Sequence, residues 1–172
     1  MPENDLRPFR FTAPDPVLKD LRKRLRAVRL PDEPPLEPWS TGTSVAYIKQ
    51  LLDYWRDGFD WRAQEERLNA FRQFTVPLAG IDVHFIYEQG RGPNPLPLLL
   101  CHGWPGSVME FYKLLPMLTD PARFGGNPAD AFTVIAPSLP GYVFSYKPGQ
   151  KRFGIEEIAE VFAALMTAVL GY

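Results

Sequence analysis

The 172-residue chain is 45% apolar and 13% aromatic, enough to pack one ordinary domain or two small lobes sharing a core. Its 19 basic and 20 acidic side chains leave a formal charge of −1, which gives no electrostatic case for nucleic acid or an anionic membrane as partner. A single cysteine, Cys101, excludes an internal disulfide, and the polar start Met1-Pro2-Glu3-Asn4-Asp5 is neither a signal peptide nor a membrane anchor, so a cytoplasmic protein is expected.

The chain up to about Arg72 reads as helical and charged. Asp15-Pro16 opens a helix as N-cap and first helical residue, and Val17, Leu18, Leu21, Leu25 and Val28 recur at helical spacing. Arg22, Lys23, Arg24, Arg26 and Arg29 fill the remaining positions as a solvated face. Leu30-Pro31 ends the helix. Pro31, Pro34, Pro35 and Pro38 then forbid regular structure, and Trp39 is expected to plug a hydrophobic gap or to line a pocket. Thr43 or Ser44 caps a second helix with Tyr47, Ile48, Leu51, Leu52 and Trp55 as a core-facing stripe, ended by Gly58. Asp60 caps a third, in which Trp61, Leu68 and Phe71 face inward.

From Gln73 onward strands and helices alternate. Gln73 to Leu78 and Ile81 to Tyr87 form a hairpin about Ala79-Gly80. Ile81, Val83, Phe85 and Tyr87 share one face of the second strand, which turns Asp82 and His84 to the surface. Leu96 to Cys101 is continuously apolar, as a central parallel strand is. Val108, Phe111, Leu114, Leu115 and Leu118 mark a helix, and Phe132 to Ala136 another buried strand. A turn-rich loop from Pro137 to Gly149 leads to a helix from Ile155 to Leu170, with Ile155, Ile158, Val161, Phe162, Leu165, Met166 and Val169 inward and Gly171 ending it. Glu156, Glu157 and Glu160 sit where the helix dipole favours acids, not as acid/base groups. Hairpin, strand, helix, strand, helix opens an α/β sheet. The alternation stops at Tyr172 without the strand a crossover helix normally feeds, so the fold is expected to be incomplete.

The run His102-Gly103-Trp104-Pro105-Gly106-Ser107 carries the chemistry. Gly103 and Gly106 let the chain turn sharply and let a substrate approach the backbone. Pro105 fixes the turn and has no N–H, which leaves the N–H of Trp104 as the donor into a pocket. In α/β hydrolases one oxyanion donor comes from the loop after the third strand and the other from the residue after the nucleophile. Losing one such donor costs about 3–4 kcal/mol of transition-state stabilisation. His102 is then structural support, its ring bonded to nearby backbone. Without that chemistry the run is a plain strand–turn–helix corner.

Several long motifs point to one family. Phe9-Arg10-Phe11, Arg29-Leu30-Pro31-Asp32, Asp53-Tyr54-Trp55-Arg56-Asp57-Gly58-Phe59-Asp60-Trp61-Arg62, His102 to Ser107 and Pro137-Ser138-Leu139-Pro140-Gly141-Tyr142 together resemble the epoxide hydrolases of the α/β-hydrolase superfamily, in their microsomal-type branch. The resemblance implies the N-terminal half of an α/β-hydrolase fold preceded by a helical N-terminal extension, with residues 1–72 as extension and 73–172 as the first part of the core. It implies hydrolysis of small-molecule epoxides to vicinal diols, with no cofactor and no metal. A carboxylate nucleophile forms an alkyl-enzyme ester, a His with an acidic partner activates water, and lid tyrosines donate to the epoxide oxygen. Of that machinery only the oxyanion turn at Gly103, Trp104 and Pro105, backed by His102, has matching positions here. The chain alone is therefore expected to be inactive and to self-associate through an exposed sheet edge. Other readings are a non-catalytic, partner-dependent remnant, or part of an esterase or a haloalkane dehalogenase. One departure is local: Val143 stands where the family has glycine.

Overall fold

The structure, a computed structural model, describes residues 6–172; the polar start Met1-Pro2-Glu3-Asn4-Asp5 lies outside the described residues. The chain divides into two compact units, Phe11–Glu66 and the segment ending at Arg10 together with Arg67–Tyr172.

In the first unit lie α1 (Asp15–Arg26), α2 (Val45–Asp53) and the start of α3 (Trp61–Asn69), whose last turn belongs to the second. Helix α1 starts one residue earlier than the sequence reading has it. Pro14 takes the cap position without a side-chain bond, because the Asp15 carboxylate pairs with Arg62 instead. Leu18 and Leu25 are its buried residues, and Lys23, Arg24 and Arg26 face the negative end of its dipole. Ser44 caps α2 by accepting from the Tyr47 N–H at 3.2 Å, and Asp60 accepts from the Ala63 N–H at 3.1 Å at the start of α3. Arg62 and Glu65 hold the main chain of Ala13: its N–H donates to Glu65 at 2.8 Å and its carbonyl accepts from Arg62 at 2.9 Å. Arg62 also holds the Glu65 carboxyl below its ordinary range. The apolar stripe of α2 is not core: Tyr47, Leu51 and Trp55 are exposed. Trp39 fills no gap either. It is exposed, in the left-handed region at φ 73°, with its ring 5.1 Å from that of Tyr47.

The second unit is built on a five-stranded mixed sheet. Its strands are β1 (Arg7–Phe9), β2 (Gln73–Leu78), β3 (Ile81–Glu88), β4 (Leu96–Leu99) and β5 (Phe132–Pro137), in the order β1-β2-β3-β5-β4. Strands β2 and β3 pair antiparallel from Gln73↔Ile86 to Leu78↔Ile81. Ala79 (φ 49°) and Gly80 (φ 80°) lie in the left-handed region that a two-residue hairpin turn requires. β5 pairs antiparallel with β3 and parallel with β4. It inserts between them, so among the described strands β4 lies at one edge of the sheet, opposite β1, and Leu96 is 65% exposed.

Val76, Ile81, Val83, Phe85 and Ile135 form one core with Val161, Phe162 and Leu165 of α5 (Ile155–Ala164) and the wide turn that extends it to Val169. Ile155 opens α5 and is 89% exposed, contrary to its inward assignment; the core contacts of the helix begin with Ile158 and Val161. Gly171 (φ 77°) ends that helix, its N–H bonding the Thr167 carbonyl at 3.0 Å. The helix expected after the His102 turn is split into a short 3-10 turn, Val108–Phe111, and α4, Leu114–Thr119, which packs on β5.

Candidate active site

Backbone pairing delivers the turn to the end of the sheet. The Leu100 N–H donates to the Ile135 carbonyl at 2.9 Å, and the chain leaves β4 for His102–Ser107. Ser107 closes the turn by capping the 3-10 segment, its Oγ accepting from the Met109 N–H at 3.2 Å.

His102 lies behind the turn, with only 4% of its surface exposed. Its Nε2 faces the Leu139 N–H at 3.0 Å, and its Nδ1 lies 3.0 Å from the Gly103 carbonyl oxygen. A backbone N–H only donates, so Nε2 is the acceptor and the neutral ring carries its proton on Nδ1, which donates to Gly103. Both ring nitrogens are committed to the backbone, which leaves no lone pair for a reacting water. The ring also meets Tyr142 edge-on, with centroids 5.5 Å apart.

In front of His102 the turn is bare. A Cβ on Gly103 would meet nothing within 4 Å, and Trp104 is 82% exposed. The Trp104–Pro105 peptide is cis. No described residue accepts a hydrogen bond from the Trp104 N–H. Gly106 is the opposite of Gly103: a Cβ there would come within 2.7 Å of the Gly103 carbonyl oxygen and would collide with the Glu110 carboxylate. Thus Gly103, Trp104 and Pro105 lie together on the open side, and His102 lies buried on the other.

The sequence reading put His84 on the surface; it is fully buried. Its Nε2 lies 3.0 Å from Gln73 Oε1, and the Gln73 amide nitrogen donates to the Leu68 carbonyl at 2.9 Å. His84 therefore carries its proton on Nε2 and accepts at Nδ1 from the Ser138 hydroxyl at 2.9 Å. Its main chain joins in: the His84 N–H donates to Ser145 Oγ at 2.9 Å, and its carbonyl accepts from the Ser138 N–H at 2.9 Å. Ser145 Oγ closes the network on the Ser138 carbonyl at 2.8 Å. The rings of Phe9 and Phe144 stand 4.7 and 4.9 Å from the imidazole. Burial pushes its pKa from the ordinary 6.5 to about 3, so it stays neutral near pH 7. Ile86 could have revealed this. It shares the strand parity of Asp82 and His84 and is itself apolar and buried, so that face is covered as well.

Val143 occupies the left-handed region at φ 38°, where its β-branched side chain is strained, and it is half exposed.

A strand–turn–helix corner of this kind on a mixed sheet is the architecture of an α/β hydrolase, and the signature of the α/β-hydrolase fold matches residues 97–170. The signature "Epoxide hydrolase N terminus" matches residues 6–111, and the chain belongs to that family. A protein of Stigmatella aurantiaca that bears the epoxide hydrolase name is 47% identical over 96% of this chain and 37% of its own length. "Epoxide hydrolase 1" of Oryctolagus cuniculus is 41% identical over 95% of this chain and 37% of its own. Among solved structures, the juvenile hormone epoxide hydrolase of Bombyx mori superposes with a TM-score of 0.83 at 34% identity, covering 99% of this chain and 45% of that one. The chain thus spans well under half the length of the relatives it matches. Among the described residues, no helix is long and apolar enough to cross a membrane.

Proposed function

We propose that this chain is the N-terminal portion of an epoxide hydrolase and contributes one arm of its oxyanion hole, the N–H of Trp104. The observation that carries the reading is the open side of the turn. Gly103 faces empty space, and the Trp104 N–H has no acceptor among the described residues at the carboxyl end of β4. Ligands of open α/β sheets bind at the carboxyl ends of the strands, beside a change in strand order. Here β5 has inserted between β3 and β4, so the turn stands at such a place. A further parallel strand would add at the free edge of β4 and bring its own carboxyl end beside Trp104.

The substrate is a small-molecule epoxide, opened by a carboxylate to an alkyl-enzyme ester; water then adds to the ester carbonyl, and the Trp104 N–H stabilises the oxyanion of that tetrahedral intermediate, which collapses to release the diol and the carboxylate. The family's nucleophile, base and lid tyrosines have no counterpart among these 172 residues, so by themselves they turn over no epoxide. His102 supports the turn and does not act as base, because both its nitrogens are engaged.

A chimera tests this. These residues replace the matching portion of the Stigmatella aurantiaca relative, and diol formation from an aromatic epoxide is followed by chromatography. The chimera is expected to form diol, and the purified chain none. Gly103→Val, which fills the open side, is expected to cut kcat of the chimera about 10²–10³-fold, the loss seen when one oxyanion donor is removed. Diol from the chain alone, or a folded chimera indifferent to Gly103→Val, sinks the reading.

A further inference from the structure

We propose that His102 and Gly106 are positioning residues that set which way the Gly103–Trp104 peptide faces. The proposal deepens, and rests on, the reading of the Trp104 N–H as an oxyanion donor. This peptide is trans and planar, so its C=O and N–H point in opposite directions. Whatever holds the carbonyl therefore aims the N–H. Two independent features hold it. The protonated Nδ1 of His102 donates to the Gly103 oxygen at 3.0 Å. Gly106 leaves the hollow in which that oxygen sits, since a Cβ there would approach it to 2.7 Å. With the carbonyl turned toward buried His102, the N–H of Trp104 is turned away from it, toward the side where Gly103 meets nothing within 4 Å.

The direction depends on the histidine's tautomer. A proton on Nε2 would leave Nδ1 as an acceptor facing a carbonyl oxygen, and two acceptors 3.0 Å apart would drive the peptide over. The Leu139 N–H, 3.0 Å from Nε2, selects the other tautomer. Leu139 follows Ser138, which the buried His84 holds by its ring and by its main chain. The loop after β5 thus reads out as the orientation of one amide in the turn after β4.

The chain has two histidines, so a ring-15N histidine spectrum contains two imidazoles, of opposite tautomer on this account. His102 is expected protonated on Nδ1 and His84 on Nε2; a His102 protonated on Nε2 overturns the proposal without any variant. The orientation of the amide is read from the residual dipolar coupling of the Trp104 N–H. His102→Asn keeps a donor near the place of Nδ1 and should leave that coupling at its native value. His102→Ala should average it toward zero. Should His102→Ala not fold, Gly106→Ala puts a methyl within 2.7 Å of the same carbonyl oxygen once the Glu110 side chain gives way, and should move the coupling while the His84 ring signals stay in place. An unchanged coupling in either folded alanine variant overturns the proposal. None of these readouts needs turnover. A chimera that hydrolyses epoxide without regard to Gly103 would sink the oxyanion reading while the tautomer and couplings stand, and the converse result would sink only this one.

Discussion

Two connections leave neighbouring parallel strands at the same end of the sheet. After β4 the chain presents bare backbone: Gly103 and Trp104 are exposed, and the Trp104 N–H is without an acceptor among the described residues. After β5 it buries polar side chains instead. Ser138 and Ser145 have no exposed surface, and the loop between them is tied back on itself and onto His84. An apolar loop could not be bonded this densely, and buried hydroxyls left unbonded would each cost about 1–3 kcal/mol. The second connection is therefore bonded scaffold, and the first is bare backbone open to solvent. They touch where the Leu139 N–H meets His102 and where the Tyr142 ring lies against it.

The contrast is broken most directly by His84→Leu. This leaves the Ser138 hydroxyl and Gln73 Oε1 buried without their partner, two groups at about 1–3 kcal/mol each. A loss of about 2–6 kcal/mol in unfolding free energy is expected, read from the shift of the urea midpoint at unchanged slope. Trp104→Ala, at the exposed turn, should change that free energy by less than about 0.5 kcal/mol. Equal losses from the two changes would erase the distinction between scaffold and site.

The same histidine predicts a pH dependence. Unfolded, its pKa is near the ordinary 6.5; folded, burial lowers it to about 3. Between those values the unfolded chain binds a proton that the folded chain refuses, so stability falls as pH falls, by up to about 1.4 kcal/mol per pH unit. The Asp57, Glu65 and Glu157 carboxyls, each held low by a basic partner, lose their contribution only as pH drops below their ordinary 3.8 and 4.5. The window from pH 6.5 to 5 therefore belongs to His84 among these groups. Melts of His84→Gln should show a flatter slope there than the native chain. Parallel slopes would mean that the imidazole is not the buried neutral group described.

Much of this was legible from local pattern. Helix caps at Ser44 and Asp60, the Gly171 stop and the Ala79-Gly80 turn are decided within a few residues, and the structure has each. What sequence reading missed was decided at a distance. Alternation in β3 implied one wet face, but Phe9 and Phe144, far away in the chain, cover His84. The apolar run of β4 marks a parallel strand but not its neighbour, because strand order is set by the crossover that places β5 between β3 and β4. The stripe on α2 shows which face of the helix is apolar and not what covers it. At the turn itself the glycines announced a close approach, and the difference between them, open space at Gly103 and a carbonyl against Gly106, required coordinates.

The smallest expected effect lies within the scaffold loop. Val143 holds φ 38° with half its surface in solvent, so its side chain adds strain and little burial. A non-glycine residue in this region costs about 1–2 kcal/mol, and glycine carries no such cost but loses more chain entropy on folding, about 0.5–1 kcal/mol. Val143→Gly is therefore expected to raise stability by up to about 1 kcal/mol, a gain of several degrees in a thermal melt. A loss would mean that the valine's packing outweighs its strain. The scaffold would then depend on this exposed residue as well as on the bonds beneath it.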